Sequence, residues 1–155
     1  MIQLVLVRHA SAEHGGVDLD DHERPLTSRG VRDAVESAKR TLRSGARPEV
    51  VLSSTAVRAR DTAAAFGAAF GADVTERADL YAAPAAVMLD VARANGAAEI
   101  AIVAHDPGMS ALVSELTGED IPMATGAVAI LTWSDGDWDD VGILPPDEVT
   151  LISPN

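Results

Sequence analysis

Ile2-Gln3-Leu4-Val5-Leu6-Val7-Arg8-His9 opens the chain with a nearly continuous apolar run that ends in an arginine and a histidine. A run so rich in branched residues suits a β-strand covered on both faces, because a half-exposed strand would alternate apolar with polar residues. Two similar runs follow, Val50-Val51-Leu52 and Ile100-Ala101-Ile102-Val103. Strands of this kind occur where helices cover both sides of a sheet, so the stretches between them should be helical.

Those stretches carry helical signals. Thr27 is placed as an N-cap, with Leu26 and Val31 set to staple across it. Val31, Ala34, Val35, Ala38 and Leu42 then mark one face, and Gly45 supplies a stop. A second helix is expected from about Thr55, with Ala59, Ala63, Phe66 and Phe70 on one side and Gly71 at its end. A third should begin near Pro84, bury Val87, Met88 and Val91, and stop at Asn95-Gly96. A fourth carries Met109, Leu112, Val113 and Leu116 and closes at Gly118.

The last segment reads differently. Residues 127–133, a turn at Asp135-Gly136 and the run from Trp138 to Leu144 suggest two edge strands joined as a hairpin, with Trp133 and Trp138 facing each other across it. The expected fold is therefore a three-layer α/β/α sandwich with a mostly parallel central sheet and a C-terminal β-hairpin at its edge. With no repeat, linker or low-complexity tract, residues 1–155 are expected to form one domain.

Composition narrows the function. With 24 acidic against 12 basic residues the formal charge is −12, which argues against nucleic acid or an anionic membrane as partner. The chain has no cysteine, which excludes disulfides, thiolate catalysis and cysteine-held metals. Met1-Ile2-Gln3-Leu4 lacks the basic stretch and apolar length of a secretory signal, so a cytoplasmic location is expected.

Ligands of open α/β sheets bind beyond the carboxyl ends of the strands. Arg8 and His9 lie at one such end, His105 at a second, and Ser53-Ser54 at a third, with Arg58 in the first turn of the following helix. A phosphoryl group in transfer spreads negative charge over its equatorial oxygens and needs fixed positive donors. Arginine offers a permanent charge and a planar fork, and the helix start near Arg58 adds backbone N–H groups. A neutral imidazole can attack phosphorus through one ring nitrogen while a hydrogen bond holds the other.

Four blocks resemble the histidine phosphatase superfamily (phosphoglycerate mutase-like): Leu6-Val7-Arg8-His9-Ala10, Arg24-Pro25-Leu26-Thr27-Ser28-Arg29-Gly30, Ser53 through Ala63, and Val103-Ala104-His105-Asp106-Pro107-Gly108. The resemblance spans residues 1 to about 118 and implies that His9 is the phosphorylated nucleophile. It also implies that Arg8, Arg58 and His105 complete the phosphate pocket, without metal or cofactor. The short length is most similar to the small bacterial branch of phosphohistidine phosphatases, whose substrate would be phosphohistidine on a partner protein.

Larger members supply a glutamate as general acid from a segment after the second helix. The corresponding Thr75-Glu76-Arg77-Ala78-Asp79-Leu80-Tyr81 has no matching glutamate, which leaves Asp79 and Glu13 as positional candidates. Imidazole leaves more readily than an alkoxide, so a phosphohistidine substrate would need less help from an acid.

Arg24 is a candidate for substrate binding or for pairing with the acidic loop Asp18, Asp20, Asp21, His22 and Glu23. That loop has no recognisable metal-ligand spacing and reads as a solvated segment near the pocket mouth. His14 has no assigned role, and Arg60, two positions after Arg58, should point away from the pocket. The alternatives to a protein phosphohistidine phosphatase are a phosphatase of small phosphomonoesters such as sugar phosphates, and a non-catalytic phosphate-binding module.

Overall fold

The computed structural model describes residues 1–155 and contains one sheet whose strand order is β3-β2-β4-β1-β5-β6. The strands are β1 (Ile2–Arg8), β2 (Val50–Ser54), β3 (Asp73–Arg77), β4 (Glu99–Ala104), β5 (Val128–Trp133) and β6 (Glu148–Ile152). Strands β1 to β4 pair in parallel, whereas β5 and β6 run antiparallel at one edge. The helices are α1 (Ser28–Arg43), α2 (Val57–Phe70), α3 (Ala85–Asn95) and α4 (Gly108–Thr117).

The three layers follow from the strands' two apolar faces. Leu4, Leu6, Ile100, Ile102 and Leu131 pack with Met88, Val91, Leu112 and Val113 of α3 and α4. Val5, Val7, Ala101, Val103 and Ile130 pack on the other side with Ala38 of α1 and Ala59, Ala63 and Phe66 of α2. The α/β/α sandwich expected from the sequence is present, with its antiparallel pair at the edge. No helix is long and apolar enough to cross a membrane.

Several details differ from the sequence reading. The inward face of α1 is Gly30, Ala34, Ser37, Ala38 and Thr41, while Val31 and Val35 are exposed. Leu26 packs on Ala10 and Ala34 instead of forming a staple with Val31. The reason is the closeness of α1 to the chain behind the first strand. A Cβ on Gly30 would lie 2.0 Å from the Ser11 carbonyl oxygen, and Ser37 Oγ donates to the Gly126 carbonyl at 2.7 Å. Only small or hydroxyl side chains fit that seam, so the bulkier valines turn to solvent.

Strand β3 carries no apolar alternation because it is an edge strand, exposed along nearly all its length. The return strand of the expected hairpin lies further on, at Glu148–Ile152 rather than from Trp138 to Leu144. The intervening segment folds as turns, with Asp140 Oδ2 accepting from the Asp137 N–H and Val141 buried in the core. Trp133 and Trp138 consequently do not face each other. Trp133 stands opposite Ile2 in the sheet, and the Trp138 indole N–H donates to the Ala97 carbonyl.

Thr27 does cap α1, accepting from the Gly30 N–H at 2.9 Å, and its own N–H donates to the Ser11 carbonyl. The second motif block is thus sewn to the residues just after His9. Gly30→Ala should force this seam apart and cost about 1–3 kcal/mol, as overpacking does. Thermal unfolding would register that as a fall of roughly 5–10 °C in Tm, together with a loss of activity. An unchanged Tm would show that the seam yields without cost.

Candidate active site

The parallel strands β1, β2 and β4 are neighbours, so their carboxyl ends open on one place. There a cavity of about 870 Å³ is lined by Arg8, His9, Arg58 and His105, joined by Arg24, Asp21, Tyr81 and Asp106 among others. The four residues that the sequence placed at separate strand ends therefore share one cleft. The His9 and His105 rings lie 5.2 Å apart between centroids.

His9 is held by its own backbone. Its Nδ1 lies 2.8 Å from the Ala10 carbonyl oxygen, and a carbonyl can only accept, so Nδ1 carries the proton. The lone pair is then on Nε2. The Ala10 N–H donates to Thr62 Oγ1 at 3.1 Å, and Thr62 in turn donates to the Arg58 carbonyl at 2.8 Å. This chain of contacts ties the end of β1 to the first turns of α2, a role for Thr62 that no residue pattern announced.

Arg58 enters from the first turn of α2 and is almost wholly buried. Its Nη1 donates to the Asp21 carbonyl oxygen at 2.7 Å and its Nη2 to Asp21 Oδ2 at 3.1 Å. Arg8 donates to the Met123 carbonyl at 2.8 Å and lies 3.6 Å from Asp106 Oδ2. The Nε of Arg8, the Nε of Arg58 and the Nδ1 of His105 are buried without a protein partner. Buried polar atoms are nearly always paired, so unpartnered nitrogens on three residues that line one cleft make it a candidate anion site.

His105 follows from a similar chain of contacts. Its Nε2 lies 2.7 Å from Ser54 Oγ, which accepts from the Ala56 N–H at 3.2 Å. The Ser54 hydroxyl can donate to Nε2 or accept from it, and Nδ1 is buried without a protein partner. Gly108 at the start of α4 is required by packing: a Cβ there would stand 2.1 Å from the Ala83 carbonyl oxygen.

Both histidines are held neutral. Burial, and then the charges of Arg58 and Arg8, push His9 down from 6.5 to about 4. Burial, and then His9 and Arg58, push His105 down to about 3. A neutral imidazole has a lone pair able to attack an electrophile and can still donate one hydrogen bond.

Comparisons with known proteins place the chain in a family. Residues 4–82 match the model of the histidine phosphatase superfamily (branch 1). The uncharacterized protein Rv1276c of Mycobacterium tuberculosis is 33% identical over 148 residues, covering 87% of this chain and 91% of that one. The chain belongs to the histidine phosphatase superfamily. It is accordingly a phosphatase. A proposed phosphohistidine phosphatase SixA from Nakamurella multipartitia superimposes with a TM-score of 0.79 and 33% identity, over 99% of this chain and 96% of that one. A proposed phosphohistidine phosphatase SixA from Agrobacterium tumefaciens gives 0.79 and 29%, over 85% and 92%.

The remaining candidates of this histidine phosphatase are placed less centrally. Arg24 lines the cleft, but its Nε donates to the Glu13 carbonyl at 2.7 Å and its Nη1 to Asp21 Oδ1 at 2.9 Å. The anticipated pairing with the acidic loop is thus present, at the edge of the cleft. Asp79 does not line the cleft; both its oxygens accept from Arg77, at 3.1 and 2.7 Å. Glu13 meets the site only through its backbone, and its side chain is absent from the cleft lining. Arg60 turns outward, 3.8 Å from Glu76. His14 lines the rim.

Sequence reasoning set the loop of Asp21 near the pocket mouth without singling that residue out, and it missed Tyr81 and Asp106 as members of the cleft. Asp106 had a signal, being adjacent to His105; its oxygens accept from the N–H and hydroxyl of Ser110 in the first turn of α4. Asp21 and Tyr81 lie 60 positions apart, and no local pattern brings them together. No three histidine, aspartate or glutamate side chains gather closely enough to hold a metal ion.

Proposed function

We propose that this protein takes a phosphoryl group onto Nε2 of His9 and passes it to water, without a metal, and that its substrate is phosphohistidine on a partner protein. The observation that carries the reading is the His9 Nδ1–Ala10 carbonyl bond, which leaves the Nε2 lone pair inside a cleft of unpartnered cationic and imidazole donors. In the first step Nε2 attacks phosphorus and the bond from phosphorus to the substrate nitrogen breaks, the electron pair leaving with the substrate ring. In the second, water attacks phosphorus, the bond to Nε2 breaks, and inorganic phosphate departs. Arg8, Arg58 and His105 donate to the equatorial oxygens in both steps.

Two features support phosphohistidine over an ester. No carboxyl group in the cleft is placed to donate a proton: Asp21 is held ionised, by the Tyr81 hydroxyl first and then by Arg24 and Arg58, and Asp106 accepts at both oxygens. An alkoxide needs such a donor. A phosphohistidine ring protonated from solvent on its distal nitrogen departs directly as neutral imidazole. The likeness to two proposed phosphohistidine phosphatases supports the same substrate class.

The test offers a phosphohistidine-bearing protein and p-nitrophenyl phosphate to the protein under excess chelator. The expected result is phosphate release without added metal, with kcat/KM at least about tenfold higher for the phosphoramidate. A higher value for the ester would overturn the substrate, and dependence on added metal would overturn the chemistry.

A further inference from the structure

One residue of the cleft is engaged more heavily than its place on an exposed turn requires. The Asp21 side chain is half exposed, yet it accepts from Arg58 Nη2, Arg24 Nη1 and the Tyr81 hydroxyl, at 3.1, 2.9 and 2.5 Å. Its carbonyl takes a further bond from Arg58 Nη1. Tyr81 is itself set edge-on against the His105 ring, 5.5 Å away. The carboxylate therefore stands at the rim, above the buried donors and beside the path any group attached to phosphorus must take outward.

We propose that Asp21 is a specificity-determining residue, whose fixed negative charge disfavours a substrate carrying an anionic group next to the phosphoryl and favours a leaving group that is neutral or cationic. The inference deepens the reading of the substrate as phosphohistidine, because the distal N–H of a protonated imidazole ring is such a cation.

The surrounding charges make this selection necessary. Four arginines line the cleft, Arg8, Arg24, Arg29 and Arg58, so an unmodified pocket would attract any acidic phosphate ester. All four lie within reach of a carboxylate, Arg8 of Asp106 at 3.6 Å, Arg24 and Arg58 of Asp21 at 2.9 and 3.1 Å, and Arg29 of Asp33 at 3.4 Å, which weakens their pull on a substrate carboxylate. Arg58 spends both Nη atoms on Asp21, and its Nε is buried without a partner.

Two charges about 6 Å apart, in surroundings between protein surface and water, change an equilibrium by about tenfold. Glycerol 3-phosphate and 3-phosphoglycerate share a phosphate on a three-carbon chain and differ in one carboxylate, and so form a matched pair of probes. Their dissociation constants would be measured by amide chemical-shift titration of the wild-type protein, Asp21→Asn and Tyr81→Phe, a measurement that requires no turnover.

In the wild type 3-phosphoglycerate should bind about tenfold more weakly than glycerol 3-phosphate. In Asp21→Asn the gap should close to within about twofold, and in Tyr81→Phe, which keeps the charge, it should persist. A gap that survives Asp21→Asn, or equal weakening of both ligands by it, would overturn the inference and leave Asp21 a positioning residue for Arg58. Because the readout is binding, it stands apart from the phosphohistidine turnover assay, and the two readings can fail separately.

Discussion

His9→Ala should reduce phosphate release by at least about 10⁴-fold, because loss of a covalent nucleophile leaves only the binding and electrostatic contributions of the site. The wild type incubated with a phosphodonor should carry an acid-labile phosphoryl group, and the variant should carry none. The variant should remain folded, since the substitution removes a side chain and leaves the Ala10 amide still bonded to Thr62. Retained turnover in a folded His9→Ala protein would eliminate the covalent route altogether.

The same residue shapes the pH dependence. His9 titrates near 4 in the folded protein against 6.5 for the free side chain, mainly through burial and then through Arg58 and Arg8. Between these values the unfolded chain binds more protons, so stability rises with pH across the window. The contribution is complete above 6.5 and is lost as pH falls towards 4; His105, pushed to about 3, adds to it in the same direction. His9→Ala should therefore flatten the dependence of stability on pH between about 6.5 and 4, which denaturant unfolding at several pH values would measure.

Arg58→Ala should lower kcat/KM by about 10²- to 10³-fold, the usual cost of removing one preorganised donor from a developing oxyanion. Arg58→Lys should restore little. A compact ammonium cannot bridge the Asp21 carbonyl and carboxylate through two fixed nitrogens, as the guanidinium does. A drop of less than tenfold in Arg58→Ala would mean that Arg8 and His105 hold the phosphate without it. The buried position of Arg58 makes a check of folding by circular dichroism part of the same experiment.

The legible parts of the molecule were those where one physical requirement dominates. The strands β1, β2 and β4 are buried on both faces, so their apolar runs stood out, and α4 buries the face its periodicity marked. Helix α1 was misread because its inner face is built from Gly30, Ala34 and hydroxyl residues that hydrophobic periodicity cannot rank above Val31 and Val35. Strand β3 escaped because both its faces are largely exposed, and β6 because the run from Trp138 to Leu144 is apolar for a different reason: its Val141 covers the core from a loop.

For the site, the sequence by itself determined which chemistry is on offer: two histidines and two arginines at strand ends, and no cysteine. It could do so because a parallel sheet brings the carboxyl ends of its strands to one edge whatever the loops do. Only the tertiary structure decided how these groups are poised. The tautomer of His9 depends on the neighbouring carbonyl, the hold on the His105 ring on Ser54 of the adjacent strand, and the orientation of Arg58 on Asp21, 37 positions earlier. It also removed Asp79 from the site, through its pairing with Arg77, and put Asp21 and Tyr81 in it. Hydrogen bonds and charge interactions act over a few ångströms, and partners so far apart in the chain come within that range only after the core has packed.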